Sequence, residues 1–196
     1  METILFVALI FLLIILLGLP LYAIPATLSL PRGRRKGLEP LTIPKAVQQI
    51  LVSGKSGLEL VHAARDLVAQ RMVYCRRNSF DIYTKAFERG YGYCQQQAYA
   101  LAAMLTQLGF EAKVVHAFRN KFPEGNVAPH TWVRVIVHQQ VHDVDSIFFD
   151  SESGEIPFTP LSKVLNYSPA FRILAGWGCA AVNAHRFYRT GKDQDW

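Results

Sequence analysis

A long apolar segment near the N-terminus sets the first limit on how this chain can fold. Residues 4–19 read ILFVALIFLLIILLGL and carry no charged side chain, and apolar residues continue to Ile24 with Pro20 as an interruption. The segment therefore covers 21 positions, and a helix needs roughly 20 apolar residues to cross a bilayer. A proline near the end of such a helix is tolerated. We predict a transmembrane anchor over residues 1–24.

A cleaved signal peptide is the alternative interpretation of the same segment. Signal peptides begin with a basic region and end at a cleavage site flanked by small residues. Only Met1, Glu2 and Thr3 precede the apolar run, and no small-x-small site stands out after it. The sequence therefore favours an anchor that is retained and that crosses the membrane once.

The chain is basic, with a net charge of +6 and an isoelectric point near 9.3. Such a balance raises the question of nucleic acid or anionic lipid as a partner. Part of the charge is a cluster directly after the apolar segment, formed by Arg32, Arg34, Arg35 and Lys36. By the positive-inside rule, this cluster places the soluble domain in the cytoplasm. The sequence contains no nucleic-acid-binding motif, and we expect no nucleic-acid partner.

The chain has three cysteines: Cys75, Cys94 and Cys179. Three are too few for a disulfide framework, and no C-x-x-C pair indicates zinc. An odd number leaves at least one thiol free; in an oxidising compartment Cys75 and Cys179 could pair and leave Cys94. The spacing of the histidines does not favour a shared metal ion either. We therefore expect neither a metal nor a cofactor.

Proline and glycine divide the rest of the chain into a linker and one domain. Residues 25–43 are rich in both and are predicted to be the linker. Residues 44–196 remain, roughly 150 residues, which suffice for one hydrophobic core without disulfides. We place the core of that domain at about residues 57–150.

Hydrophobic periodicity predicts helices first and strands afterwards. Apolar residues at helical spacing, bounded by proline, serine or glycine, predict helices over residues 44–54, 57–72, 79–90 and 94–109. Alternating patterns then predict strands over residues 111–118, 130–137 and 141–149, before a last helix at 178–189. This order is typical of an α+β protein in which helices pack on an antiparallel sheet.

Cys94 follows a glycine turn and opens the fourth predicted helix. A helix N-terminus stabilises a thiolate, which is the nucleophilic form of cysteine. The backbone N–H of Cys94 would also lie where an oxyanion can be bound. A small cysteine buried between helix and strand is the alternative, and for a cysteine taken alone it is the commoner one.

His130 and Asp145 can meet if the last two strands form a tight hairpin. With the turn at His138-Gln139, Trp132 faces Asp145, and His130 becomes a diagonal neighbour of Asp145 on one face. Such neighbours are roughly 7–8 Å apart along the backbone, within side-chain reach. Asp143 falls on the same face beside Arg134 and is the rival carboxylate. A turn at Gln139-Gln140 would instead separate His130 from Asp145.

Four segments together resemble the transglutaminase-like superfamily, the papain-like fold of cysteine peptidases and acyltransferases. They are Gly92-Tyr93-Cys94, Leu108 to Val115, His130 to Val135, and Val144-Asp145-Ser146. His130 follows Cys94 by 36 residues and Asp145 follows His130 by 15, which resembles the compact microbial members. The likeness implies an α+β transglutaminase-like core after one transmembrane helix. Val141 departs from the family, which often has an aromatic residue there, as does Ser146-Ile147 in place of Pro-Thr.

The resemblance implies a catalytic triad in which Cys94 is the nucleophile, His130 the base and Asp145 the residue that orients it. Tyr93, Gln95 and Trp132 are candidates to contact the substrate, and of the run Gln95 to Gln97 we expect two solvated side chains and one lining the cleft. Hydrolysis of an amide or peptide bond near the membrane is the leading prediction, with a peptide or protein, such as a membrane protein, as acyl donor. Acyl transfer to an amine and an inactive scaffold within a membrane complex are the alternatives. The sequence does not determine the oligomeric state.

Overall fold

The computed structural model describes residues 2–28, 33–76, 81–149 and 155–191. Its helices are α1 (Glu2–Leu28), α2 (Ile43–Leu51), α3 (Gly57–Arg71), α4 (Tyr83–Arg89), α5 (Cys94–Gln107) and α6 (Pro169–Thr190). Its strands are β1 (Val73–Tyr74), β2 (Tyr91–Gly92), β3 (Glu111–Lys121), β4 (Val127–Val137), β5 (Gln140–Val144), β6 (Thr159–Pro160) and β7 (Leu165–Asn166). The described residues form two compact units.

The larger unit consists of the described residues from 33 to 74 and from 81 to 168, and α5 is its central helix. Helices α2, α3 and α4 pack on α5, and strands β3 and β4 of the sheet also pack on it. The predicted apolar stripe of α5 is buried in this core at Ala98, Leu101 and Leu105. Burial of one large aliphatic side chain contributes roughly 1.5–3 kcal/mol, so the stripe holds the helix firmly against the sheet.

Glycine residues end two of these helices as the sequence predicts. Gly90 closes α4 with φ +81°, and Gly109 follows α5 with φ +91°. Both conformations are left-handed, which glycine adopts without steric cost. The start of α4 differs from the prediction: it begins at Tyr83, whereas the predicted cap, Ser79, lies outside the described residues.

The main sheet has the strand order β5-β4-β3-β6, and β7 also pairs with β3. All its pairings are antiparallel, and a bulge interrupts β3 against β4 between Ala117 and Asn120. A short parallel pair, β1 with β2, precedes α5. The predicted fold class, helices packed on an antiparallel sheet, is confirmed.

The β4–β5 hairpin has the predicted turn. His138 and Gln139 have φ values of +48° and +66°, as a two-residue type I′ turn requires. Val133 pairs with Val144 and Arg134 with Asp143, in the predicted register. The predicted strand 141–149 is too long, however, because β5 ends at Val144. The chain turns there because the Asp145 carboxylate accepts the N–H groups of Ile147 and Phe148.

The smaller unit contains α1, residues 75–76 and α6. α1 includes one apolar stretch, Ile4–Ala26, that is long enough to cross a membrane and that a signal sequence would match equally well. Near its C-terminal end, alanines of α1 and α6 pack together: Ala23, Ala26, Ala180 and Ala184. The helix predicted at residues 178–189 is longer in the structure, where it begins at Pro169 and ends at Thr190. The predicted end of the membrane anchor at residue 24 and the predicted end of the linker at residue 43 stay predictions.

Candidate active site

Cys94 is the first residue of α5, and its half-buried thiol forms no disulfide. The turn before it is closely packed at Gly92: a Cβ atom there would lie 2.5 Å from Met72 Cε, the end of a flexible side chain, and 3.2 Å from Gln96 Cβ. Tyr93 is the N-cap residue, and its N–H donates to Gln96 Oε1 at 3.1 Å. The thiol of Cys94 therefore lies at the positive end of the helix dipole.

His130 and Asp145 are hydrogen-bonded in the interior of the larger unit. Nε2 of His130 lies 2.7 Å from Oδ2 of Asp145, and their side chains are only 4% and 2% exposed. The same carboxylate accepts the N–H groups of Ile147 at 3.2 Å and Phe148 at 3.1 Å. These two backbone bonds fix the carboxylate, which in turn fixes the orientation of the imidazole ring.

Asp143, the rival carboxylate, contacts a different residue. Its two oxygens accept hydrogen bonds from Nε and a terminal nitrogen of Arg134, each at 2.8 Å. This bond to Asp143 raises the pKa of the Arg134 guanidinium. Of the two carboxylates that the sequence left open, the one that reaches His130 is Asp145.

The thiol of Cys94 lies close enough to His130 to contribute to the raised pKa of the ring. Because Nε2 of the ring is occupied by Asp145, Nδ1 is the nitrogen left for the sulfur. Burial alone would lower the pKa of His130, but the negative charge and hydrogen bond of Asp145, together with Cys94, raise it to about 10. The ring is therefore a cation at neutral pH, between a carboxylate and a sulfur atom.

Aromatic rings enclose His130. The rings of Phe122, Phe148 and Phe158 meet it edge to face, with centroids 5.7, 5.3 and 5.1 Å away. Trp132 is stacked at 6.4 Å with an interplanar angle of 10° and has no exposed surface. In the part of the chain that the structure describes, its indole N–H has no hydrogen-bond partner. The enclosure keeps water away from the ring, and a substrate contact by Trp132 stays a prediction.

The three consecutive glutamines of α5 are all buried, which corrects the expectation that two of them are solvated. The reason is that each amide has a polar partner in the surrounding elements. Gln95 accepts a hydrogen bond from the Tyr93 hydroxyl and donates to Tyr167 Oη at 2.8 Å. Gln96 Nε2 donates to the Asp81 carbonyl at 2.8 Å. Gln95 and Tyr93 thus bind each other, and their predicted contact with a substrate is untested.

Gln97 connects the two halves of the site. Its amide nitrogen donates to the carbonyl of Gly92 at 3.1 Å, just before Cys94. Its amide oxygen accepts the hydroxyl of Ser146 at 3.1 Å, just after Asp145. Sequence reasoning did not find this link, because nothing in the spacing of Gln97 and Ser146 indicates that they meet.

A second histidine, His116, lies near His130 but has a different protonation state. Nδ1 of His116 lies 2.9 Å from the Thr131 hydroxyl. Burial, followed by the charge of His130, lowers its pKa to about 4, so this ring is neutral at physiological pH. Within the described ranges, no group of three His, Cys, Asp or Glu side chains is placed to hold a metal ion.

Comparison with known proteins adds a family model. The model of the transglutaminase-like superfamily matches residues 44–145, which include Cys94, His130 and Asp145. A comparison with curated proteins gives no match.

Two solved structures are also similar to part of the chain. A structure described as a TGase matches with 22% identity and a TM-score of 0.46, over 57% of this chain and 32% of its own. A structure from Cytophaga hutchinsonii, described as a candidate cysteine protease, matches with 13% identity and a TM-score of 0.39, over 74% of this chain and 53% of its own. The chain thus spans about a third and about half of these two proteins.

Proposed function

Because the chain belongs to the transglutaminase-like superfamily, we propose that it catalyses thiol-dependent acyl chemistry, with Cys94 as nucleophile, His130 as general acid and base, and Asp145 as the orienting residue. The observation that carries the proposal is the buried 2.7 Å hydrogen bond between His130 and Asp145, with the Cys94 thiol near enough to the same ring to raise its pKa. Nucleophile, base and orienter in hydrogen-bond contact are the signature of an activated nucleophile.

The first half of the reaction forms a thioester. A cationic imidazole beside the sulfur stabilises the thiolate, which attacks the carbonyl carbon of an amide. The N–H of Cys94, at the start of α5, donates to the oxyanion of the tetrahedral intermediate. His130 then gives its proton to the leaving amine nitrogen as the carbon–nitrogen bond breaks.

The second half returns the free enzyme. His130, now neutral, removes a proton from the incoming water, whose oxygen attacks the thioester. The carbon–sulfur bond breaks, the acid leaves, and the thiolate–imidazolium pair forms again. Asp145 stabilises the imidazolium and fixes the ring so that Nδ1 points to the sulfur throughout. This sequence amounts to hydrolysis of an amide or peptide bond.

Acyl transfer to an amine is the second candidate, and one observation favours it. Four aromatic rings surround His130 and limit the access of water to the base. Exclusion of water protects an acyl-enzyme from hydrolysis, so a primary amine entering beside Cys94 would become the acceptor. The two candidates share every step up to the thioester.

A retained membrane anchor completes the proposal. The alanines of α1 near its C-terminal end are buried against α6, and removal of α1 as a signal peptide would uncover that face. An anchored enzyme meets acyl donors in or near the membrane, such as peptides or membrane proteins. The basic cluster after α1 supports a cytoplasmic site.

Hydrolysis of an activated ester, p-nitrophenyl acetate, tests the proposal without knowledge of the natural donor. We expect Cys94→Ala and His130→Ala each to abolish turnover above the solution rate. Cys179→Ala, which removes a thiol of the smaller unit, is the matched control and should keep the wild-type rate. Turnover that survives in Cys94→Ala would refute the proposal.

Addition of a primary amine to the same assay separates the two candidates. Formation of the acetylated amine at the expense of free acetate would identify acyl transfer. Unchanged release of acetate would identify hydrolysis.

A further inference from the structure

The smaller unit carries a second functional surface. The function inferred for it rests on the proposal that α1 is a retained membrane anchor. The apolar stretch of α1 has 23 residues, Ile4–Ala26, roughly 34 Å at 1.5 Å per residue. The hydrocarbon core of a bilayer is about 30 Å thick. The turn from Tyr22 to Ala26 therefore lies where the hydrocarbon ends and the headgroups begin.

The C-terminal turns of α6 are fixed to this turn by three hydrogen bonds. Tyr22 Oη lies 3.0 Å from His185 Nδ1. The Tyr188 hydroxyl donates to the Tyr22 carbonyl at 2.8 Å and accepts the Ala26 N–H at 3.1 Å. The Tyr188 hydroxyl thus lies between the Ala26 N–H and the Tyr22 carbonyl, two groups that bond directly to each other in a regular α-helix.

These contacts set the depth of the end of α6 in the membrane. Tyrosine is favoured at the level of the headgroups, because its ring is apolar and its hydroxyl polar. The rings of Tyr22 and Tyr188 also meet edge to face, with centroids 5.3 Å apart. Residues of α6 beside Tyr188 consequently lie among lipid headgroups rather than in free water.

The charges of α6 suit that position. The helix contains no acidic residue and three arginines. Two of them, Arg186 and Arg189, are exposed on the last turns, three residues apart and thus on one face. A guanidinium group binds phosphate oxygens through two parallel hydrogen bonds.

From the depth of Tyr188 and the exposed basic face beside it, we infer that Arg186 and Arg189 bind the phosphate groups of anionic phospholipids in the leaflet at the C-terminal end of α1. The surface holds the C-terminal end of α6 at the membrane. The cationic cluster that follows α1 in the sequence acts on the same leaflet.

Native mass spectrometry of the full-length chain in detergent tests this inference. The protein is incubated with equal amounts of phosphatidylcholine and phosphatidylglycerol, and the retained lipids are compared. We expect a preference for phosphatidylglycerol, and the double variant Arg186→Gln/Arg189→Gln should reduce it roughly 30-fold if each arginine contributes about 1 kcal/mol. The control Lys45→Gln/Lys55→Gln removes the same charge from exposed positions of the larger unit and should leave the preference unchanged.

Three outcomes would overturn the inference: no preference in the wild type, equal loss in both double variants, or retention of inorganic phosphate by the wild type, lost in Arg186→Gln/Arg189→Gln, without retention of phosphatidylglycerol. The last would identify a soluble phosphate as the ligand. Alkylation of Cys94 in the same variants separates this inference from the proposed function. We expect Cys94 to react normally in Arg186→Gln/Arg189→Gln, so lipid binding and the active site fail independently.

Discussion

Asp143 and Asp145 are two residues apart, and their surroundings are opposite. Asp143 lies in the β4–β5 ladder opposite Arg134, and the two side chains are 22% and 38% exposed. Asp145 lies just beyond the ladder, 2% exposed, with His130 and two backbone N–H groups as donors. An ion pair in contact with water contributes little, whereas a buried carboxylate can hold a histidine in its charged form.

Position relative to the end of the ladder, and not the distance along the sequence, selects the partner of His130. Within the ladder, a carboxylate faces the residue directly across from it, which for Asp143 is Arg134. Past the ladder, the chain bends and brings Asp145 inward. Substitutions at these two positions therefore should have very different effects.

The largest contrast is expected in turnover of an activated ester. Asp145→Asn removes the negative charge that stabilises the His130 imidazolium and also allows the wrong ring tautomer, so we expect a loss on the order of 10² to 10⁴-fold. Asp143→Asn should change the rate by less than about twofold, because it alters only a surface ion pair. Rates measured with p-nitrophenyl acetate check both values. A large loss in Asp143→Asn and none in Asp145→Asn would reverse the assignment.

A second contrast is expected in stability. Asp145→Ala leaves the buried His130 without its counter-charge and two N–H groups without an acceptor, and breaking a buried pair costs about 3–5 kcal/mol. Asp143→Ala should cost no more than about 1 kcal/mol, since its pair with Arg134 is screened by solvent. Urea unfolding followed by circular dichroism gives both free energies. Equal losses in the two variants would contradict the account.

The pH dependence of stability should differ in the same direction. The pKa of folded His130 is raised from 6.5 to about 10, so its charged form favours the folded state. This contribution is complete below about pH 6.5 and is lost as the pH rises to about 10. We expect the free energy of unfolding to fall across that window in the wild type and in Asp143→Asn, and to change less in Asp145→Asn. Urea titrations at a series of pH values check this, and parallel curves for all three proteins would contradict it.

The smallest effect concerns the turn that aligns the hairpin. Gln139 has a φ of +66°, a conformation that glycine adopts without strain. Gln139→Gly should therefore stabilise the fold by up to about 1 kcal/mol while leaving turnover unchanged. A matched change at Gln140, which lies within β5, should instead destabilise it. Thermal unfolding of both variants distinguishes the two; destabilisation by Gln139→Gly would argue against the type I′ turn.

Much of the fold and of the site follows from local patterns. The strand periods and the hairpin register were enough to predict that His130 reaches Asp145 and that Asp143 lies beside Arg134. The helix start at Cys94 follows from a glycine turn before an apolar stripe. These features depend on residues close together in the sequence, where propensity and spacing act directly.

Features that depend on distant contacts were not predictable. β5 ends at Val144 because the Asp145 side chain captures two backbone N–H groups, although the residues after it continue a strand-like pattern. The burial of Gln95, Gln96 and Gln97 depends on partners such as Tyr167 and Ser146 from other elements. The contact between α1 and α6 joins segments more than 150 residues apart. No local pattern encodes such contacts.

The rate at which iodoacetamide alkylates each cysteine, read by peptide mapping, tests most directly whether Cys94, His130 and Asp145 act as one unit. It needs no substrate, and it compares Cys94 with Cys75 and Cys179 in one sample. We expect Cys94 to be the fastest of the three cysteines to react in the wild type and in Asp143→Asn, and to react at least about tenfold more slowly in Asp145→Asn. A Cys94 that reacts no faster than Cys179, or that responds equally to both aspartate substitutions, would contradict the account.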